Sequence, residues 1–370
     1  MSRSVGCAER IALSLRDLYG RYGYRQYKMS KFEEYDLYAR NKDFLISDSV
    51  ITFTDTDGKL MALKPDVTLS IVKNSMDCPG IRKLYYHENV YRVSKGNQGY
   101  REIMQVGLEA IGQVDDYTLS EVLLLAAKSL QTISGEAVLD ISHLGLVTEL
   151  MEFIGIPAES RNTLVKLISE KNAHEMTALC EKCGISKENT DLLRQLIALN
   201  GTPARVLPKL ENLLSGKVSP ATLAQFRDVL SSLENSGVES LLRIDFSVVD
   251  DLHYYNRFVF KGFINGLPGS VLSGGQYDKL MDKLKRNDRS IGFAVYTDLL
   301  DQLEQPSDEY DAEIVLLYDP SASLTDIQAQ ARALSAQGSV MVLPSLPVDI
   351  RCKKVMKLSE NEVVLLENNA

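Results

Sequence analysis

The 370-residue chain has no tryptophan, only five cysteines, no long run of lysine or arginine, and no uncharged apolar stretch long enough to span a membrane. Each shortage excludes something. Cys7, Cys78, Cys180, Cys183 and Cys352 are odd in number and scattered, so no disulfide framework is expected. Cys180-Glu181-Lys182-Cys183 is a CxxC with His174 six residues upstream, but without a second ligand pair it falls short of a tetrahedral zinc site. Two free thiols near a helix end is the plainer reading, and no metal is expected. The net charge of -9, with no basic stripe, argues against a protein built to grip nucleic acid. Met1-Ser2-Arg3-Ser4 leads into a polar, amphipathic stretch and not an apolar signal region. A cytoplasmic protein without a membrane partner is expected. What is present, 45% hydrophobic and 25% charged residues, suffices for the cores of two domains and a small third.

Residues 8–22 carry Ile11, Leu15, Leu18 and Tyr22 on one helical stripe that Gly23 stops. Asp55-Thr56-Asp57-Gly58 reads as a hairpin turn between 51–53 and 60–63, and Pro65 as the start of a helix to Asn74. Strands are expected at 82–93 and 101–111, joined by the polar loop 94–100. Thr118-Leu119-Ser120-Glu121 reads as a capping box opening a helix to about Ile133, followed by a strand at 137–142. From about 144 to 236 the spacing is helical, with helices at 144–153, 163–171, 204–214 and 220–233, the last capped by Ser219-Pro220. Strands return at 241–246 and 254–263. A helix follows at about 277–286, then a strand at 291–295 feeding a helix through Leu303. Pro306-Ser307-Asp308 reads as a linker. The last 60 residues alternate strand (314–317), helix (324–337) and strand (340–343), ending near 363–366.

The second strand of the central pair alternates strictly. Met104, Val106, Leu108 and Ala110 face one side, and Arg101, Ile103, Gln105, Gly107, Glu109 and Ile111 the other. The second face is either open to water or a floor for a ligand. Gly107 between Gln105 and Glu109 leaves room for a ligand to approach, and Arg92 on the partner strand offers a bidentate grip on a carboxylate.

Several segments resemble the histidyl-tRNA synthetases. Tyr91-Arg92-Val93-Ser94, the loop, and Tyr100 through Glu109 look like motif 2 of that family. Leu63-Lys64-Pro65-Asp66-Val67-Thr68 resembles its Leu-Arg-Pro-Glu-Gly-Thr. Leu252 through Phe260 resembles the histidine-specific Arg-Gly-Leu-Asp-Tyr-Tyr segment, Gly274-Gly275-Gln276-Tyr277-Asp278 resembles Gly-Gly-Arg-Tyr-Asp, Ile291 through Ala294 begins motif 3, and Tyr22 through Glu33 resembles motif 1, the dimer motif. In this order the likeness spans about 8–303. It implies an α+β fold: a class II aminoacyl-tRNA synthetase-like core over 1–305 with a mixed, mainly antiparallel sheet and flanking helices, a mainly helical insertion at about 144–236, and a small C-terminal α/β module at 309–370.

The resemblance further implies a histidine cradle. Asp66, Thr68 and Gln105 would hold the α-amino group, Glu109 and Tyr255 the imidazole, and Arg92 the carboxylate, with Tyr254 and Tyr277 as walls. Plain core packing is the competing reading of the two wall tyrosines, and His253 is taken as core or rim. The departures remove catalysis. Leu299 stands where motif 3 keeps the arginine that grips ATP phosphate, and Asp298 matches the preceding acid. Tyr296 replaces a glycine, Asp250 the activating arginine, Asp251 the next glycine, Ser94 the motif 2 glutamate, and Ser30 the motif 1 proline. Adenylate formation depends on electrostatic stabilisation that these residues cannot supply. No catalytic residue and no cofactor is therefore expected.

With that pattern the chain is similar to the ATP phosphoribosyltransferase regulatory subunits, a synthetase-derived family without charging activity. That implies a role in histidine biosynthesis. The expected partner is the short-form catalytic subunit, in a hetero-oligomer that in the family is a hetero-octamer, with self-association as a homodimer and histidine as the feedback ligand. Two alternatives stand beside it. One is a divergent histidyl-tRNA synthetase with Arg257 or Arg289 replacing the lost cations. The other is a stand-alone histidine- or amino-acid-binding module.

Overall fold

The first helix, α1 (Cys7–Arg21), buries Ile11, Ala12, Leu15 and Tyr19, so its inward stripe is centred on Tyr19 and leaves Leu18 and Tyr22 at the margin. Gly23, at φ 81°, ends it, and the Tyr24 amide returns to the Tyr19 carbonyl. The computed structural model describes residues 6–41, 50–75, 79–93, 99–249, 254–303, 310–359 and 362–368. They fall into two compact units, 1–303 and 304–370.

In the first unit the chain continues through β1 (Arg25–Gln26), β2 (Phe32–Glu34), α2 (Tyr35–Ala39), β3 (Thr52–Thr54), β4 (Leu60–Leu63), α3 (Thr68–Asn74), β5 (Ile81–Val93), β6 (Tyr100–Gly112), α4 (Asp116–Ile133) and β7 (Ala137–His143). A helical stretch follows: α5 (Leu144–Phe153), α6 (Ala158–Ser169), α7 (Ala173–Lys182), α8 (Lys187–Ala198), the short β8 (Asn200–Gly201), α9 (Pro203–Leu214) and α10 (Pro220–Ser231). Then come β9 (Leu242–Asp245), β10 (Phe258–Ile264), β11 (Ser270–Gln276), α11 (Asp278–Lys283) and β12 (Arg289–Tyr296).

The nine-stranded sheet runs β1-β5-β6-β12-β11-β10-β7-β9-β8. Only β1/β5 and β7/β9 are parallel, so the sheet is mixed and mainly antiparallel, as expected. A second, three-stranded sheet has the order β2-β4-β3, with the expected turn at 55–58 joining β3 to β4. Both faces of the β5/β6 region are covered. Val106, Leu108 and Ala110 enter the main core with α1 and α4. On the other face Tyr86, Val90 and Ile111 pack with Val67, Leu69, Ile71 and Val72 around α3, and with Tyr277, Leu280 and Met281 around α11.

Several boundaries differ from the sequence expectations. Helix α3 begins three residues after Pro65, with Val67 at its N-cap position, and Asp66 just before it accepts a hydrogen bond from the Leu69 amide at 2.8 Å. Helix α4 is capped by Asp115, which accepts from the Thr118 amide at 2.8 Å, while Glu121 is taken by Lys83 and Tyr24; Thr118-to-Glu121 is not a capping box. The expected strand at 254 starts only at Phe258, so Tyr254 and Tyr255 lie on the approach to β10. The helix expected after Val295 is a 3-10 segment, Thr297–Leu303. Within the helical stretch α7 and α8 went unread. Cys180 is buried on α7 and Cys183 caps its end. Ser219 does cap α10.

The second unit holds β13 (Ala312–Tyr318), α12 (Leu324–Ser335), β14 (Val340–Leu343), β15 (Cys352–Ser359) and β16 (Glu362–Asn368). Its sheet order is β14-β13-β15-β16, with β13 parallel to both neighbours. Strand β15 had no counterpart in the sequence reading.

Candidate functional site

The register places the site. Residues paired across neighbouring strands share a sheet face. Glu88 of β5 pairs with Gln105 of β6, and Gln105 with Tyr296 of β12. Tyr86 pairs with Gly107 and Gly107 with Ala294; Leu84 pairs with Glu109 and Glu109 with Gly292. Gln105 and Glu109 therefore point toward α3 and α11, and both are almost fully buried, at 3% and 1% exposure. The reading of a face open to water is wrong, because α3 and α11 roof it.

Glu109 is the centre. Thr68 donates its hydroxyl to Oε1 at 2.7 Å, and Tyr277 donates to Oε2 at 2.5 Å. Burial pushes the carboxyl up to about 8, against the lowering effect of these two donors. Gly292 makes the close approach possible, since a Cβ there would lie 1.8 Å from Oε2. Tyr254 packs on Tyr255 with ring centroids 4.6 Å apart and on Tyr277 at 6.1 Å. The Tyr254 and Tyr277 hydroxyls are both pushed well up by burial and by the neighbouring carboxylates. The segments that carry the two tyrosines are joined because Asn256 and Asp278 clasp each other: Asn256 Nδ2 donates to Asp278 Oδ2 at 3.1 Å, and the Asp278 amide donates to Asn256 Oδ1 at 3.2 Å.

Asp66 lies beside this group, its carboxyl pushed up by burial and drawn partly back by the Leu69 amide and by Arg92. Arg92 Nε donates to the Pro65 carbonyl at 3.0 Å. The structure thus brings Asp66, Thr68, Arg92, Gln105, Glu109, Tyr254, Tyr255 and Tyr277 to one side of β5, β6 and β12. The sequence assigned Thr68 and Glu109 to opposite ends of a ligand, yet here they share a hydrogen bond.

The space over Gly107 is already occupied. A Cβ there would meet the Tyr86 hydroxyl at 2.4 Å, so Tyr86, not a ligand, fills the gap the sequence reading left open. The pairing of Tyr86 with Gly107 could have been read from aligning the two predicted strands. A second omission is Lys64. Its side chain is 1% exposed and its Nζ lies 2.6 Å from Glu88 Oε2. The Lys64 carbonyl accepts from the Tyr91 amide at 2.9 Å, so the segment carrying Asp66 is stitched to β5 at Glu88, Tyr91 and Arg92. Lys64→Met should therefore leave a carboxylate without its cation and destabilise the protein by about 3–5 kcal/mol, read as a drop in urea midpoint at unchanged slope; Lys64→Arg should recover most of it.

The positions that depart from the synthetase motifs are differently furnished. Leu299 packs against the main core. Asp298 faces Arg101 at 3.7 Å. Tyr296 stands next to Gln105 in the sheet. Ser30 accepts from the Phe32 amide at 3.1 Å. Of the two arginines considered as substitutes, Arg257 donates to Gln225 on α10 at 3.2 Å, and Arg289, at the opposite end of β12 from Tyr296, faces Asp282 at 3.7 Å. Ser94, Asp250, Asp251 and His253 lie outside the described residues, as does the expected linker at 306–308.

A buried acid on a sheet face, framed by a motif 2-like strand pair and a motif 3-like strand, is the arrangement of a class II synthetase core. The family model described as histidyl-tRNA synthetase matches residues 3–300, and the chain belongs to that family. Within it, the chain is similar to proteins named ATP phosphoribosyltransferase regulatory subunit: the one from Clostridium kluyveri is 29% identical over 351 residues, covering 90% of this chain and 88% of its own. Among solved structures, an ATP phosphoribosyltransferase regulatory subunit/histidyl-tRNA synthetase from Bacillus halodurans C superposes with a TM-score of 0.77 at 23% identity, over 94% of this chain and 93% of the other. A chain of the ATP phosphoribosyl transferase complex from Thermotoga maritima gives 0.62 at 18% identity, over 78% and 96%. At these identities the two structures attest the fold.

Proposed function

We propose that this chain is a non-catalytic regulatory subunit of ATP phosphoribosyltransferase in histidine biosynthesis, required by a short catalytic subunit and transmitting feedback inhibition by histidine. The observation that carries this reading is the pairing of an acid cradle, Glu109 held by Thr68 and Tyr277, with Leu299 packed against the core where a phosphate-gripping arginine would stand. A buried carboxyl flanked by two hydroxyls suits an imidazole, and Arg92 with Asp66 suits the zwitterionic end of an amino acid. Histidine can regulate only by binding the inhibited state of the complex better than the active one.

In this proposal residues 1–305 form the histidine-sensing core, with a helical insertion at 144–236, and 309–370 form a separate module. The chain works in the cytoplasm, pairs with a copy of itself, and assembles with the catalytic chain. The names carried by its relatives support the partner. No described helix is long and apolar enough to cross a membrane.

The test is direct. Purified chain should bind histidine, show no histidine-dependent exchange of pyrophosphate into ATP, and activate a short catalytic chain in a histidine-sensitive manner. Pyrophosphate exchange at an enzymatic rate would overturn the reading in favour of a working synthetase. Histidine binding without any effect on a catalytic chain would favour the stand-alone module.

A further inference from the structure

The nine-stranded sheet carries a second polar cleft on the same face as the cradle. Gly107 pairs with Ala294, Ala294 with Ser273, Ser273 with Lys261, and Lys261 with Asp140. Asp140 thus shares the cradle's face four strands away, roughly 19 Å at about 4.8 Å per strand. There a cleft of about 460 Å³ opens over β7, β9 and β10. Lys171, Lys261, Asp245 and Ser247 flank it, with Phe263 and Val248 as apolar wall.

Its charges are unequally satisfied. Asp245 is saturated: Lys171 lies 2.9 Å and Asn200 2.6 Å from Oδ2, while the Ser247 amide and hydroxyl donate to Oδ1 at 2.8 and 2.6 Å. Among the described residues no hydrogen bond is made to the Asp140 carboxylate; it is partly buried and faces the like charge of Asp245, with Lys171 and its strand neighbour Arg243 as the cations that act on it from a distance. Burial and the Asp245 charge push it up to about 6, against the lowering pull of Lys171 and Arg243. Lys171 is held with φ 50°, a left-handed conformation that costs a side-chain-bearing residue about 1 kcal/mol and that glycine would adopt freely.

We propose that this cleft is a second ligand site for a free α-amino acid, its ammonium seated on Asp140, its carboxylate turned toward Lys171, and its side chain against Phe263 and Val248. A site of this size with both signs of charge and an apolar wall fits a small zwitterion. A nucleotide is a poor fit, because two carboxylates line the cleft and no arginine does. The site stands on its own residues and does not depend on the regulatory reading.

The test uses the full chain, the standard L-amino acids at millimolar concentration, thermal shift and then calorimetry. At least one amino acid should bind the Glu109→Gln variant, whose cradle is disabled, as well as it binds wild type. Asp140→Asn should weaken that binding by about ten-fold or more, the loss of a charge-assisted hydrogen bond. Lys171→Gly should weaken it too, with some loss of stability because Asp245 loses its cation, and Lys171→Arg should recover both, which a general folding defect would not do. The proposal is overturned if no standard amino acid binds the Glu109→Gln variant, or if binding survives both Asp140→Asn and Lys171→Gly. Histidine binding that vanishes with Glu109→Gln while the cleft stays silent would sink this proposal and leave the cradle reading intact.

Discussion

Glu109→Gln is expected to lower histidine affinity by roughly 30- to 150-fold, the 2–3 kcal/mol of a buried hydrogen bond to a charged group, while leaving the chain folded. The amide keeps the shape and can still accept from Thr68 or Tyr277, but it offers no negative charge to an imidazolium. The wild-type pH dependence should be distinctive. With its carboxyl raised to about 8, free Glu109 is mostly protonated at neutral pH. Neutral histidine, whose imidazole titrates near 6.5, can take that proton on binding without net exchange. Below about 6.5 the ligand arrives already charged and Glu109 must release its proton, so affinity falls with falling pH. Above about 8 a proton must be taken up, so affinity falls again with rising pH. Calorimetry across this range should show a plateau between the two limbs, and Glu109→Gln should lose the upper one.

The same group sets a stability trend with a defined sign. Its carboxyl titrates at about 8 when folded against 4.5 ordinarily, so the folded state holds the extra proton between those values. Stability should then decrease as pH rises through that window, because ionisation favours the unfolded chain. Glu109→Gln should flatten this slope and gain relative to wild type at the alkaline end. Thermal melts of both proteins from pH 5 to about pH 9 would check it; parallel curves would mean Glu109 is charged in the folded protein.

Gly292→Ala is the second large effect. An added Cβ would lie 1.8 Å from Glu109 Oε2 and 2.5 Å from the Leu108 carbonyl. The side chain could swing aside, but the backbone oxygen of a central strand cannot. The variant should lose about 3 kcal/mol or more of stability, at the upper end of overpacking costs, and should lose histidine binding because Glu109 is driven off its two donors. The measurement is a chemical melt together with a histidine titration. A variant as stable as wild type that still bound histidine would show that β12 can move away from β6.

Much of the site could be read in the chain itself because its signals are local. Period-2 alternation over 101–111 put Gln105 and Glu109 on one face, and motif order carried Asp66, Thr68, Arg92 and the tyrosines with them. The loss of phosphate-gripping cations was also local, a matter of which side chain stands at Leu299. What could not be read was what covers that face. A strand with a polar stripe looks solvated until the roof is known, and the roof is α3 and α11, packed through Leu69, Val72, Leu280 and Met281. Likewise Gly107 looked like a ligand's gap because its occupant, Tyr86, comes from the neighbouring strand.

The sequence by itself determined the order of most elements of the first unit and the charge and shape of each side chain, since helical and strand periodicity and capping act within a few residues; α7, α8 and β15 escaped it. Tertiary structure alone decided that Thr68, Glu109 and Tyr277 share two hydrogen bonds across 41 and 168 residues of chain. It also decided that Glu109 holds its proton up to about 8. The physical reason is that desolvation and cross-strand register depend on which distant segments meet.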